Sequence, residues 1–160
     1  MKKILLFSFI LLGHWSFGQT VAFQIVTPAA SGAVSDANST VLESAGTATI
    51  NVILTRSTTT PDITVDVTVA NTGNAVLGTD INFTTQTLTF PAGSTNNTQS
   101  FQVSVINNTS PQPTRYAVFQ LTNAIGATIN SSANSNTHIL YIKDDDQTAT
   151  APSKAIEFQY

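Results

Sequence analysis

Apolar and polar side chains alternate with a period of two in short runs along most of this sequence. The cleanest run is 63–69, where Ile63, Val65, Val67 and Val69 fall on one side and Thr64, Asp66 and Thr68 on the other, the pattern of a half-buried strand. The same period predicts strands at 21–25, at 47–55 with Ala48, Ile50, Val52 and Leu54 inward, and at 137–142. In 116–121, Ala117, Phe119 and Leu121 take one face and Tyr116, Val118 and Gln120 the other, so a strand covered on much of both sides is expected. Residues 88–90 and 101–105 alternate again. Between them, Pro91-Ala92-Gly93-Ser94 supplies a fixed φ and then a residue free to take φ > 0, which predicts a hairpin. Asn71-Thr72-Gly73-Asn74 is a turn, 28–38 and 130–136 are loops, and Pro111 and Pro113 keep 107–113 out of any interior strand. Seven or so short strands broken by such signals predict an all-β, immunoglobulin-like antiparallel sandwich of two sheets that needs no helix.

Composition fits that expectation. Only 9% of the 160 residues are charged while 41% are hydrophobic, and the polar remainder is largely Thr, Ser, Asn and Gln, which suit pleated surfaces and turns. The length allows one core and one domain. A net charge of -3 with scattered basic residues leaves no basic patch for nucleic acid.

The amino terminus changes the picture more. Met1-Lys2-Lys3, an apolar run at 4–12 and Ser16-Phe17-Gly18 predict a secretory signal peptide over 1–18, cleaved to leave Gln19 first. The apolar run is too short to span a bilayer, so no membrane span is expected after its removal, and the chain is expected outside the cell or on its surface. There is no cysteine, so burial or a metal must hold the sandwich together. At the other end, 147–160 reads as a linker followed, from Ala155, by a new alternating run. The domain is therefore expected at 19–146, as the first module of a longer chain.

Catalytic groupings are thin. His138 is the one histidine beyond the signal segment, no serine sits in a G-x-S-x-G setting, and no glycine-rich phosphate loop occurs. An enzyme is not expected in this segment. The cluster with chemistry is Glu43, Asp80 and Asp144-Asp145-Asp146. Loops from distant positions meet at one end of a sandwich, so these carboxylates could converge on a hard cation that takes six to eight oxygens. They could equally form an exposed acidic end that keeps the domain soluble.

Several motifs, in order, are similar to those of the Calx-beta family. They are Val41-Leu42-Glu43-Ser44-Ala45-Gly46, Gly78-Thr79-Asp80-Ile81, Thr87-Leu88-Thr89-Phe90-Pro91-Ala92-Gly93, Phe101-Gln102-Val103-Ser104-Val105 and the closing Ile139-Leu140-Tyr141-Ile142-Lys143-Asp144-Asp145-Asp146. The resemblance covers about 21–146. It implies a Calx-beta sandwich with Glu43, Asp80, Asp144, Asp145 and Asp146 as calcium ligands. The pattern departs at Asn107-Asn108, where the family has Asp-Asp, and at Gln112 and Arg115, where it has E-x-x-E. Half of the anionic ligands are missing. Weak calcium binding or none is therefore expected, with the Arg115 guanidinium standing in for the ion on Asp80 or on the 144–146 run. The resemblance further implies a secreted, non-catalytic interaction or spacer module of cell adhesion or communication, with a neighbouring extracellular domain or a surface protein or glycan as partner. The alternative is an N-terminal accessory domain of a secreted hydrolase whose catalytic part lies beyond residue 160.

Overall fold

The computed structural model describes residues 18–25, 37–56, 61–132 and 135–146. The expected signal peptide, up to residue 17, and the expected linker and new strand at 147–160 lie outside them. Alternation has its expected result: the described residues form strands arranged as two sheets, with a 3-10 turn between two of them. The strands are β1 (Thr20–Phe23), β2 (Ala37–Leu42), β3 (Thr47–Thr55), β4 (Ile63–Ala70), β5 (Ile81–Asn82), β6 (Gln86–Phe90), β7 (Thr98–Val105), β8 (Arg115–Ile125), β9 (Thr128–Ile129) and β10 (Thr137–Lys143), with the 3-10 turn at Glu43–Ala45. One sheet has the order β5-β7-β3-β1-β9 and the other β2-β10-β8-β4-β6. The strands beyond the expected seven are β2, β5 and β9, all at sheet edges. Two of these are a residue pair each, too short to carry a period, and β2 (ANSTVL) opens on polar residues that read as loop.

The inward faces follow the sequence. Ala48, Ile50, Val52 and Leu54 of β3, Ile63, Val65 and Val67 of β4, and Ala117, Phe119 and Leu121 of β8 are buried, and Tyr116 and Val118 on the outer face of β8 are half-buried. Between the sheets, Phe101 and Phe119 meet at 5.5 Å, with Phe83 edge-on to both at 5.6 and 5.1 Å and Phe23 at 6.3 Å from Phe101. Edge-to-face rings of this kind add about 0.5–1.5 kcal/mol per pair beyond the area they bury.

Pairing departs from expectation in two respects: β2 with β10 and β1 with β9 run parallel in an otherwise antiparallel sandwich, and the expected hairpin is absent. β6 and β7 form no hairpin: β6 pairs with β4 in one sheet and β7 with β3 and β5 in the other. The turn at Pro91–Ser94, with Gly93 at φ 76°, carries the chain across the gap between the sheets. Arg56 clasps this crossover, donating to Asn97 Oδ1 at 2.9 Å and to the carbonyls of Pro91 and Ser94. Leu88 and Phe90 on one strand and Phe101, Val103 and Val105 on the next are buried against the same core from opposite sheets, and a period of two is identical in the two arrangements. Elsewhere the turn at Asn71–Asn74 docks on β8, where Tyr116 O accepts from Asn74 N and Ala75 N. A Cβ on Gly73 would lie 2.4 Å from that same carbonyl, so only glycine fits.

His138, on β10, is 1% exposed. Its Nε2 lies 2.8 Å from Ser39 Oγ on β2, and its ring packs 5.5 Å from Phe23. Burial lowers its pKa from 6.5 to about 4. The chain thus enters the sandwich with β1, which begins beside the far end of β3 (Thr20 opposite Thr55). It leaves after β10, whose last residue lies beside Leu42 and the start of the 3-10 turn, at the other pole.

Two outcomes are expected. Val67→Asp, at a fully buried position, should cost about 3 kcal/mol or more, because it sets a carboxylate between the sheets, while Thr68→Asp on the outer face should cost less than about 1 kcal/mol. Equal melting of the two variants would reverse the assignment of faces. The second concerns His138. The unfolded chain takes up a proton near pH 6.5 and the folded one not until about 4, so stability is complete above 6.5 and falls as pH drops toward 4, by up to about 3 kcal/mol. His138→Leu should flatten that part of a stability-against-pH curve measured by denaturant unfolding.

Candidate metal centre

The site is built by a parallel pair. β2 and β10 run in the same direction, in register from His138 opposite Ala37 to Lys143 opposite Leu42, so the residues that follow the two strands, Glu43 and Asp144, emerge at the same level. An antiparallel pair would put them at opposite poles. Gly46, at φ 70°, ends the 3-10 turn that Glu43 begins. Its carbonyl accepts from Val105 N at 3.0 Å, which brings the end of β7, and hence Asn108, beside the turn. Arg115 lies opposite Ile142. Ser44 Oγ donates to Asp145 Oδ2, tying the two chain exits together.

Glu43, Asp144 and Asp146 converge here. One carboxylate oxygen from each lies within 4.8 Å of the others. Glu43 is 2% exposed. Its Oε2 accepts from Asn108 Nδ2 at 2.9 Å and from Gln112 Nε2 at 3.3 Å. Glu43 Oε1, Asp144 Oδ1 and Asp146 Oδ2 are buried and have no hydrogen-bond partner. Buried polar atoms are nearly always paired, so three orphaned oxygens, one on each carboxylate, are open acceptors that a cation or a hydrogen-bond donor would satisfy. At such separations two charges repel by on the order of 3 kcal/mol at an effective dielectric near 20, less where half-exposed aspartates are screened by water. Burial raises the Glu43 pKa, against the hydrogen bond from Gln112; the negative charges of Asp146 and Asp144 push it up further, and Asn108 pulls it down.

The other residues singled out in the sequence lie elsewhere. Asp80 is buried, but its Oδ2 accepts from Val76 N at 2.7 Å, closing its own loop, and it stands outside the group of three. Asp145 is exposed and turned to Ser44, and Asn107 is exposed. Arg115 does not stand in for an ion. Its Nε and one terminal nitrogen both donate to Gln112 Oε1, at 3.4 Å, rather than to an acid. Asn108 and Gln112, noted in the sequence only as missing acids, are the groups that meet Glu43; no period or motif signals a carboxamide acting as donor.

The donor set is all oxygen, with no sulfur and no imidazole in the group, and it suits a hard divalent cation. Calcium takes six to eight oxygens in flexible geometry, and three carboxylates can supply three to six of them. The residues therefore fit calcium, with the carboxylates of Glu43, Asp144 and Asp146 as the groups that would hold it.

Solved structures share the architecture that places these acids. The apo-form Calx CBD1 domain superimposes with a TM-score of 0.66 at 21% identity, over 81% of this chain and 99% of that one. The fold is Calx-beta-like. The Calx CBD2 domain gives 0.60 at 11% identity, covering 81% of this chain and 90% of that one. The calcium binding domain CBD12 of CALX1.1 gives 0.61 at 24%, covering 69% and 42%. No family model and no curated protein matches the chain. At these identities the likeness speaks for the fold.

A pH experiment reads the cost of keeping Glu43 ionised at the acidic pole of this Calx-beta-like sandwich, a cost set first by its burial and then by Asp146 and Asp144. The Glu43 pKa in the folded chain lies above its ordinary 4.5, so the stabilising effect of its proton is complete below 4.5 and is lost as pH rises through the elevated value. Without divalent cations, Glu43→Gln should gain on the parent as pH climbs from 4.5 to 7. If denaturant unfolding gives a pH-independent difference between the two, folding leaves the Glu43 pKa where it was, and neither burial nor the neighbouring acids weigh on its charge.

Proposed function

We propose that this chain is a non-catalytic β-sandwich module that binds one calcium ion weakly, outside the cell, at Glu43, Asp144 and Asp146. The observation that carries this reading is the convergence of three carboxylates, each of which also has one buried oxygen with no hydrogen-bond partner. Weakness follows from the ligand count: three carboxylates converge, and the neighbouring carboxamides turn N–H groups toward the site. Extracellular calcium modules of low affinity bind with Kd of about 0.1–1 mM. The non-catalytic part rests on His138, which is buried against Phe23 and Ser39 and so closed to any substrate. Asp144 and Asp146 lie where the chain leaves the sandwich. An ion there fixes the direction of the next segment, as a spacer or linking module beside a neighbouring domain or surface partner requires.

Titration calorimetry should show one weak calcium site in the parent and none in Glu43→Gln. At calcium ten times Kd the parent should gain about 1.4 kcal/mol of stability. Equal heats in parent and variant, or no rise in Tm of the parent at 10 mM calcium (on the order of ten times the weakest expected Kd), would remove this function.

A further inference from the structure

We propose that Arg115 sets the cation affinity of this site by holding the Gln112 carboxamide with its nitrogen, not its oxygen, toward Glu43. The inference rests on the calcium reading above and concerns residues outside the set of three carboxylates. A carboxamide has an accepting end and a donating end, and only the oxygen can ligate a cation. Whichever end is engaged elsewhere decides which end faces the site.

Both carboxamides beside Glu43 are engaged through their oxygens. Asn108 Oδ1 accepts from Ser110 N at 2.8 Å, a local turn of the backbone, leaving Nδ2 to meet Glu43 at 2.9 Å. Gln112 Oε1 accepts from two nitrogens of Arg115, leaving Nε2 to meet the same Glu43 oxygen. The two holds differ in strength. The one on Asn108 is short and made by main chain. That on Gln112 is made by one long, half-buried side chain through contacts of 3.4 Å, at the weak limit of a hydrogen bond. Gln112 is thus the amide that can turn, and Arg115 is what keeps it from turning. In the ion-free chain this arrangement places two N–H dipoles and, behind one of them, a guanidinium against an excess of negative charge. For an incoming cation it withholds an oxygen and presents a positive end instead.

The test is a double-mutant cycle read by calcium calorimetry. Arg115→Met keeps the unbranched stem to about the position of Nε and removes the guanidinium with its donors and charge. It should bind calcium about tenfold more tightly than the parent, most of the gain coming from the added amide oxygen and the smaller part from the opposing charge removed. Gln112→Ala removes the amide that turns. In that background Arg115→Met should change affinity by less than about threefold, and the gap between the two effects is the coupling. Equal gains in both backgrounds would mean that Arg115 acts through charge alone, and no gain in either would mean that it does not act on the site; both overturn the proposal. Glu43→Gln in the Arg115→Met chain separates this from the site itself. If it abolishes binding, the three carboxylates are the site whatever Arg115 does. If binding persists, or if no variant binds calcium, the site reading fails and the role of Arg115 with it. Thermal unfolding without calcium gives a second readout: Arg115→Met should melt below the parent, and 10 mM calcium should raise its Tm by more than it raises that of the parent.

Discussion

The parallel pairing of β2 with β10 is the constraint on which the acidic pole depends. Among the described residues the other long pairings are antiparallel, and the second parallel pair, β1 with β9, is two residues long, so it is β2 and β10 that send two long strands out at the same end, 101 residues apart in sequence at the Glu43 and Asp144 exits (144 − 43). The carboxylates do not find one another by attraction. They are held together against their repulsion by ladder hydrogen bonds and by the buried His138–Ser39 contact between the same two strands. The acids are therefore secondary to the strands, and their electrostatic cost is carried by the core.

That cost is lowered in two ways, and the difference between them is the difference between this chain and a fully acidic site. A cation would neutralise the three carboxylates directly. The carboxamides of Asn108 and Gln112 do part of the same work with dipoles, satisfying one oxygen of Glu43 while leaving one oxygen on each acid unmet. Dipoles placed in this manner lower the cost of the acids whether or not a cation is bound. Fully acidic sites fold well only when the ion is present, because every ligand adds a charge that nothing else cancels.

Much of the fold was legible because burial writes itself into a period of two. The faces of β3, β4 and β8 could be read residue by residue. Pairing partners could not, since β6 and β7 alternate in the same way whether they share a sheet or face each other across the core. Of the site, Glu43, Asp144 and Asp146 were legible through motif resemblance, which carries spacing that the period lacks. Asp80 was drawn into the set by the same resemblance, but the main-chain N–H of Val76 holds its Oδ2. Arg115 was expected to answer negative charge directly. The nearer acceptor is Gln112, three residues before it, and a glutamine side chain announces neither which of its ends it will use nor toward what.

The positions of the two chain exits have a mechanical consequence. The described chain enters on β1 at one pole and leaves after β10 at the other, and these strands belong to different sheets. Tension applied along such a chain pulls the first and last strands lengthwise past their neighbours, so that the hydrogen bonds of the β1–β3 ladder and of the β10–β2 and β10–β8 ladders are loaded together instead of opening one by one. A sandwich pulled in this way yields by shear and so resists stretching, and the acids sit at the end where the pull on β10 is applied.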